Sequence, residues 1–436
     1  MTGRGGAVAA AALGLAAACT PDRAAHPAVT LELANWAAHL EAAIERQVLD
    51  SFAAAHPGVR VTQQSAGTGQ AEYRERILTS MAAGAPPDVF LLDNIDVPAF
   101  ADRGVLLDLR PFLGRLGVDL ADYDSTVLAI FRRGDAVYAL PKGYTPMVVA
   151  YNRDLFDRAG LPYPAADWTW DEFLAAAKAL TRDTDGDGAI DQWGTAFDRR
   201  VFMWNSWILA GGGDVLCAGG DRASGCLDAP ATVDAIRWYT GWVTRDSVVP
   251  RFGTLRKSLG DNLRLFSSGR VAMITAGHFW VPNLLPYVAD GRLRVGFAEI
   301  PHRAGASPAT VIYAAGVAVP AAAPHRRHSV ELAAFLADSV ALAIRAGARL
   351  ELPSRDAVAR DLAGNDTLGW EAVFRRAAAH GRIPWGARIQ EWREIEAVLP
   401  DLMDRITLRG EDPAVVARDV ARQIDRILAR RAGGGP

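Results

Sequence analysis

A cationic surplus is missing from this chain: 47 Lys and Arg stand against 50 Asp and Glu, a formal net charge of −3. Nucleic acid or an anionic membrane surface would call for a basic stripe, so neither is expected as a partner. Cysteine is scarce, with only Cys19, Cys217 and Cys226, and a lone pair supplies too few ligands for a structural zinc site. The eight histidines form no metal site either; His325 and His328, in "PHRRHS", give two ligands on what reads as a solvated loop. Past the N-terminus no apolar run is long enough to span a bilayer: the longest, Val311 to Pro324, is short and contains proline. Internal repeats and low-complexity linkers are missing too, so any domain boundary must be crossed by ordered strands. No Ser/His/Asp or Cys/His signature stands out, and no pair of carboxylates is spaced for glycoside cleavage.

What is present is a globular composition, half hydrophobic and 22% charged, long enough for about two or three domains of ordinary size. The N-terminus "MTGRGGAVAAAALGLAAACT" has one early charge, Arg4, an apolar run from Ala7 to Ala18, then Cys19 after small residues. It resembles a bacterial lipoprotein signal, with residues 1–18 removed, Cys19 lipidated and 19–26 a spacer. A plain secretory peptide with an incidental cysteine is the alternative. On either reading the chain is exported, to the outer face of the cytoplasmic membrane on a lipid anchor or to the periplasm. There disulfides persist, and Cys217 and Cys226, bracketing the Gly-rich "CAGGDRASGC", are expected to pair.

Periodicity then organises the chain. Val29 to Trp36 reads as a strand, the next segment carries Ile44, Val48, Leu49 and Phe52 on one helical stripe, and "VRVTQQS" alternates as a second strand. A helix with Tyr73, Ile77, Leu78 and Met81 on one face leads to a buried strand, Asp88 to Asp93. Strand, helix, strand, helix, strand implies parallel strands with crossover helices, hence an α/β domain. In such sheets ligands lie outside the carboxyl ends of the strands, which is where Trp36, Ser65, Asp93 and Asn94 fall. Trp36 could instead be core, and Asp93 a cap for the next turn. Further on, Thr169 and Glu172 form a capping box, and Gly269 separates a helix from a strand beginning at Val271. The last sixty or so residues read as helices.

Three stretches carry a resemblance. They are "AYNRDLFDRAGLPYPAADWTWDEFLAAAKALT" (150–181), "FSSGRVAMITAGHFW" (266–280) and "PDVFLLDNIDVPAFADRGVLLDLRPFL" (87–113). In that combination the chain resembles the extracellular solute-binding proteins of bacterial ABC importers, the group typified by its maltose- and glycerol-3-phosphate-binding members. The resemblance implies an α/β, two-lobed periplasmic-binding-protein-like fold of type II, lobes joined by crossing strands with a ligand cleft between them. By analogy one lobe takes 27–143 and 312–347, and the other 144–311 and 348–436. It also implies a monomer that closes on a sugar (mono- or oligosaccharide) or a related polyol or glycerol phosphate and hands it to the permease subunits of a transporter, with no cofactor and no catalysis. A secreted carbohydrate-active enzyme is the competing reading.

Sugar-binding members use aromatic faces against pyranose rings and polar groups for hydroxyls. The candidates this implies are Trp280 in the Gly277-x-x-Trp280 loop, Trp207 in "WNSW", and Trp385. Tyr144 and Gly316, at the first two lobe crossings, occupy positions that line the cleft in the family. Trp280 could pack between lobes instead, and "WNSW" could anchor a helix. Arg388 resembles by position an arginine that glycerol-3-phosphate binders direct at their ligand; a surface ion pair is its other reading. Such a fork suits phosphate, carboxylate or vicinal hydroxyls. Separately, "DTDGDGAIDQWG" places Asp183, Asp185, Asp187, Gly188 and Asp191 at EF-hand positions one, three, five, six and nine, but Gly194 at twelve, where a bidentate glutamate belongs. Calcium there would be structural; a polar turn into the next strand is the alternative.

Overall fold

The computed structural model describes residues 1–3, 29–37, 39–65, 70–250 and 259–433. Cys19 and the expected signal and spacer lie outside the described residues. Strand β1 (Val29–Asn35), helix His39–Ala55, β2 (Val59–Ser65), helix Gln70–Ala82 and β3 (Val89–Asp93) follow the order that periodicity predicts. β1 pairs in parallel with both β2 and β3. A short hairpin of β4 (Arg132–Arg133) and β5 (Ala136–Val137) precedes β6 (Ala139–Pro146), and β7 is Val148–Asn152. The remaining strands are β8 (Trp193–Thr195), β9 (Val271–Ala276), β10 (Val295–Glu299), β11 (Thr310–Ala318) and β12 (Gly381–Arg382).

These strands make two sheets. The first runs β12-β11-β3-β1-β2, with β6 also on β11; the second runs β10-β7-β9-β8. Both parallel and antiparallel pairs occur, as expected where discontinuous chain returns to complete a sheet. The sheets are joined at Met147, the single residue between β6 and β7, whose N–H donates to Val311 O at 3.2 Å. β11 is the second passage. The third is Leu352, bonded in both directions to the Tyr144 backbone at 3.0 Å. Backbone pairing at every passage confines relative motion of the two lobes to a few torsions.

The second lobe is built round an aromatic core. Helix Val201–Ala210 buries Trp204 and Trp207, which with Phe173, Tyr239 and Trp242 fill the space between that helix and Pro230–Thr244. The capping box of Thr169 and Glu172 forms and starts the helix Trp170–Leu180. Cys217 and Cys226 are joined, Cα to Cα 5.3 Å. In the first lobe, Glu45 is 1% exposed yet ionised: burial would push it up, but Arg345 and Lys142 outweigh this and hold it at about 2. Lys142 lies on β6 next to the passage and also meets Glu351 at 2.7 Å. Gly143 lets that glutamate in, since a Cβ there would come within 2.3 Å of its carboxyl carbon.

Candidate functional site

Strand polarity puts the carboxyl ends of β1 and β3 at one edge of the first sheet, facing the second lobe. Trp36 stands there edge-on to Tyr73, ring centroids 5.4 Å apart, and lines a small recess with Asp93 and Asp96. Asp93 caps the 3-10 turn Asn94–Asp96 by accepting from Ile95 N–H at 3.2 Å. Asn94 is buried and oriented so that its amide nitrogen donates to Asp93 Oδ1 (2.9 Å) and Ala314 O (3.2 Å). Burial, then the neighbouring charge of Asp96, pushes the Asp93 carboxyl up to about 7 against the pull of Arg393. Ser65 sits to the side: its Oγ donates to Asn35 Oδ1 at 3.0 Å.

From the opposite side come residues that sequence reasoning missed. Phe202 lies 4.3 Å from the ring of Tyr313 on β11, and 5.9 Å from Phe279. Tyr313 lies two residues from Ala315, which pairs with Asp93 between β11 and β3, and its hydroxyl is pushed well up chiefly by burial, then by the charges of Glu396 and Asp93. Glu396 is raised by burial, opposed by Arg393, its ion-pair partner at 3.1 Å. Phe202, Phe279 and Tyr313 thus form one aromatic group, its Tyr313 two residues along β11 from the partner of Asp93.

On one flank the lobes touch. Asp96 takes a bidentate bond from Arg393 (3.0 and 2.8 Å) and a further one from Arg74 (2.7 Å), so a first-lobe carboxylate is held by the second-lobe helix Trp392–Arg409. Arg133 on β4 donates to Ala387 O at 3.0 Å. Gly386 meets Ile95 so closely that a Cβ would lie 2.5 Å from its Cγ2.

The remaining sequence candidates are placed elsewhere. Trp280 is 4% exposed and sits among Ile274, Val281 and Leu284, so it is Phe279 that stays partly open. Trp207 is core, with Nε1 donating to Thr275 Oγ1 at 2.9 Å. Trp385 is buried, with Nε1 on Asp214 Oδ1 at 2.7 Å. Gly316 gives room to Phe131, whose ring would come 2.6 Å from a Cβ. Along β6, Tyr144 points to a separate cavity of about 510 Å³ with Arg375 and Asp356, whereas the next residue, Thr145, accepts from His278 N–H at 2.7 Å. Arg388 stacks on Trp385 (4.1 Å to the ring centre) and donates to Ala218 O at 3.2 Å on an exposed surface. Strand alternation explains the Tyr144 and Thr145 split.

In the Asp-rich loop, one ligand atom each of Asp183, Asp185 and Asp187 falls within 4.8 Å of the others. Asp183 accepts from Gly186 and Gly188 N–H, both at 2.7 Å, which lowers its carboxyl. Asp191 instead binds Thr184, through N–H at 3.0 Å and Oγ1 at 2.6 Å.

Two α/β lobes joined by paired strands define the architecture of a two-lobed binding protein. The chain matches the family of bacterial extracellular solute-binding proteins over residues 34–341 and belongs to it. It is 28% identical over 330 residues to an uncharacterised lipoprotein of Streptomyces antibioticus, covering 74% of this chain and 70% of that one. It is 23% identical over 379 residues to the diacetylchitobiose-binding protein DasA of Streptomyces coelicolor, covering 82% and 81%. Among solved structures, the ABC substrate-binding protein Lmo0181 of Listeria monocytogenes, in complex with cycloalternan, superposes with a TM-score of 0.81 at 21% identity, over 92% of this chain and 99% of that one. UgpB of Mycobacterium tuberculosis, in complex with glycerophosphocholine, gives 0.81 at 22% identity with the same coverage. The protein is thus an exported substrate-binding component of an ABC importer. No helix among the described residues is long and apolar enough to cross a membrane.

Proposed function

We propose that the cleft captures a mono- or oligosaccharide, or a related polyol, by lobe closure, and that the loaded form engages the permease without altering its cargo. The observation that carries this is the set of three partly open aromatic rings, Phe202, Phe279 and Tyr313, on the strand that pairs with Asp93 and on the segments packed against it. Aromatic faces take the C–H face of a pyranose, and carboxylates accept from its hydroxyls. Relatives named for diacetylchitobiose, cycloalternan and tagatose support a carbohydrate. A thermal-shift panel of sugars and polyols tests the reading, with small-angle scattering to detect compaction on binding. No shift with any compound would overturn capture; release of a cleaved glycoside would replace it with an enzyme.

Lipid attachment at Cys19 and a monomeric state belong to the same proposal, checked by mass spectrometry of the membrane fraction and by light scattering. Structural calcium on Asp183, Asp185 and Asp187 is a separate proposal about stability. A chelator that lowers Tm while sparing affinity supports it, and an unchanged Tm sinks it.

A further inference from the structure

Resting on the sugar-capture reading, we infer that the cleft selects uncharged or amino-bearing sugars and rejects phosphorylated and acidic ones, because its guanidinium groups are already bound to carboxylates while Asp93 and Glu396 stay partly open beside them. An anion in a closing cleft needs charge-assisted donors to replace its water. Arg393 spends both its Nε and its Nη2 on Asp96, and its Nη1 on Glu396. Arg74 is likewise bound to Asp96. Asp96 and Glu396 thus engage both guanidinium groups before any ligand arrives.

Asp93 has no ion-pair partner among the described residues, and its acceptors are filled only by neutral N–H groups, from Ile95 and Asn94. A hydroxyl or an ammonium can donate to such a group, whereas a phosphate beside it finds no cation to replace its water. Phe202, Phe279 and Tyr313 add quadrupole faces that attract an ammonium and are indifferent to a neutral ring's charge. The arginine that sequence position offers for an anion, Arg388, is stacked on Trp385 and bonded to Ala218 O on the far side of that tryptophan's loop.

The test is calorimetric titration of the full chain with matched probes on several hexose scaffolds: neutral sugar, its 2-amino form, its 6-phosphate and its uronate, plus glycerol 3-phosphate. The neutral and amino forms are expected to bind at least tenfold more tightly than the phosphate and uronate. In Asp93→Asn with Glu396→Gln, checked for folding by circular dichroism, that ratio should shrink several-fold. A phosphate or uronate that outbinds its neutral parent overturns the proposal, as does a ratio unmoved by the double substitution. Silence across the whole panel would instead overturn the sugar reading beneath it, an outcome distinct from an inverted order.

Discussion

Asp93→Asn offers a direct test of the electrostatics of the cleft in the absence of ligand. The carboxyl is pushed up to about 7 chiefly by burial, against 3.8 for an unperturbed aspartate. Below about pH 4 it is protonated in folded and unfolded chains alike, so it contributes no difference. Between there and about 7 the unfolded chain has lost the proton that the folded chain keeps. The folded state then binds more protons, and stability falls as pH rises through that window. About three units at 1.36 kcal/mol each set an upper limit near 4 kcal/mol. Asp93 is only partly buried, so water screens it and about 2 kcal/mol is the reasonable figure. Asparagine keeps an oxygen to accept from Ile95 and Asn94 but cannot ionise. Urea unfolding at intervals from pH 4 to 8 should show wild-type stability declining relative to Asp93→Asn by about that amount, with the variant the more stable at pH 8. Parallel pH profiles for the two proteins would refute the reasoning, whatever their absolute stabilities.

Other substitutions separate binding from folding. Phe279→Ala should weaken sugar affinity by about 1–2 kcal/mol with little change in urea midpoint, while Trp280→Ala, made in the core, should cost about 3–5 kcal/mol of stability; calorimetry and denaturation read the two effects separately. Arg388→Ala should leave affinity within error, since its contacts are with Trp385 and Ala218 O; a tenfold loss would bring it back to the ligand. Glu45→Gln leaves Arg345 and Lys142 buried without their shared carboxylate and should destabilise by about 3–5 kcal/mol, seen as a lower urea midpoint. Cys217→Ser with Cys226→Ser removes the constraint on a short loop and should lower stability by about 2–3 kcal/mol at unchanged affinity.

How far the sequence could be read depended on which physical signal each feature leaves. The first three strands and their helices were legible because one buried face imposes a period. Side-chain partners leave no such period. Asp96 clamps two arginines, one of them 297 residues away, and neither distance nor geometry is written locally. Trp385 read as a ligand group by residue type and Arg388 by its position in the resemblance, yet each has a partner, in Asp214 and Ala218, that only the folded loop reveals.

Two misses did leave a trace. In β11, Tyr313 and Ala315 alternate with the buried Ile312, Ala314 and Gly316, so period two along that strand points the tyrosine, not the glycine, at the cleft. In "GHFW" the larger aromatic drew the eye, but the 3-10 turn His278–Trp280 turns Trp280 inward to start the helix Val281–Ala289. Phe279, one residue earlier, is thereby left on the open side. A buried tryptophan buttressing a partly exposed phenylalanine is the arrangement a stacking surface needs: the inner ring fixes the turn, and the turn presents the outer ring at low entropic cost to the ligand. Residue type alone ranks these two the wrong way round for contact with solvent, and the backbone turn between them decides which one is left open.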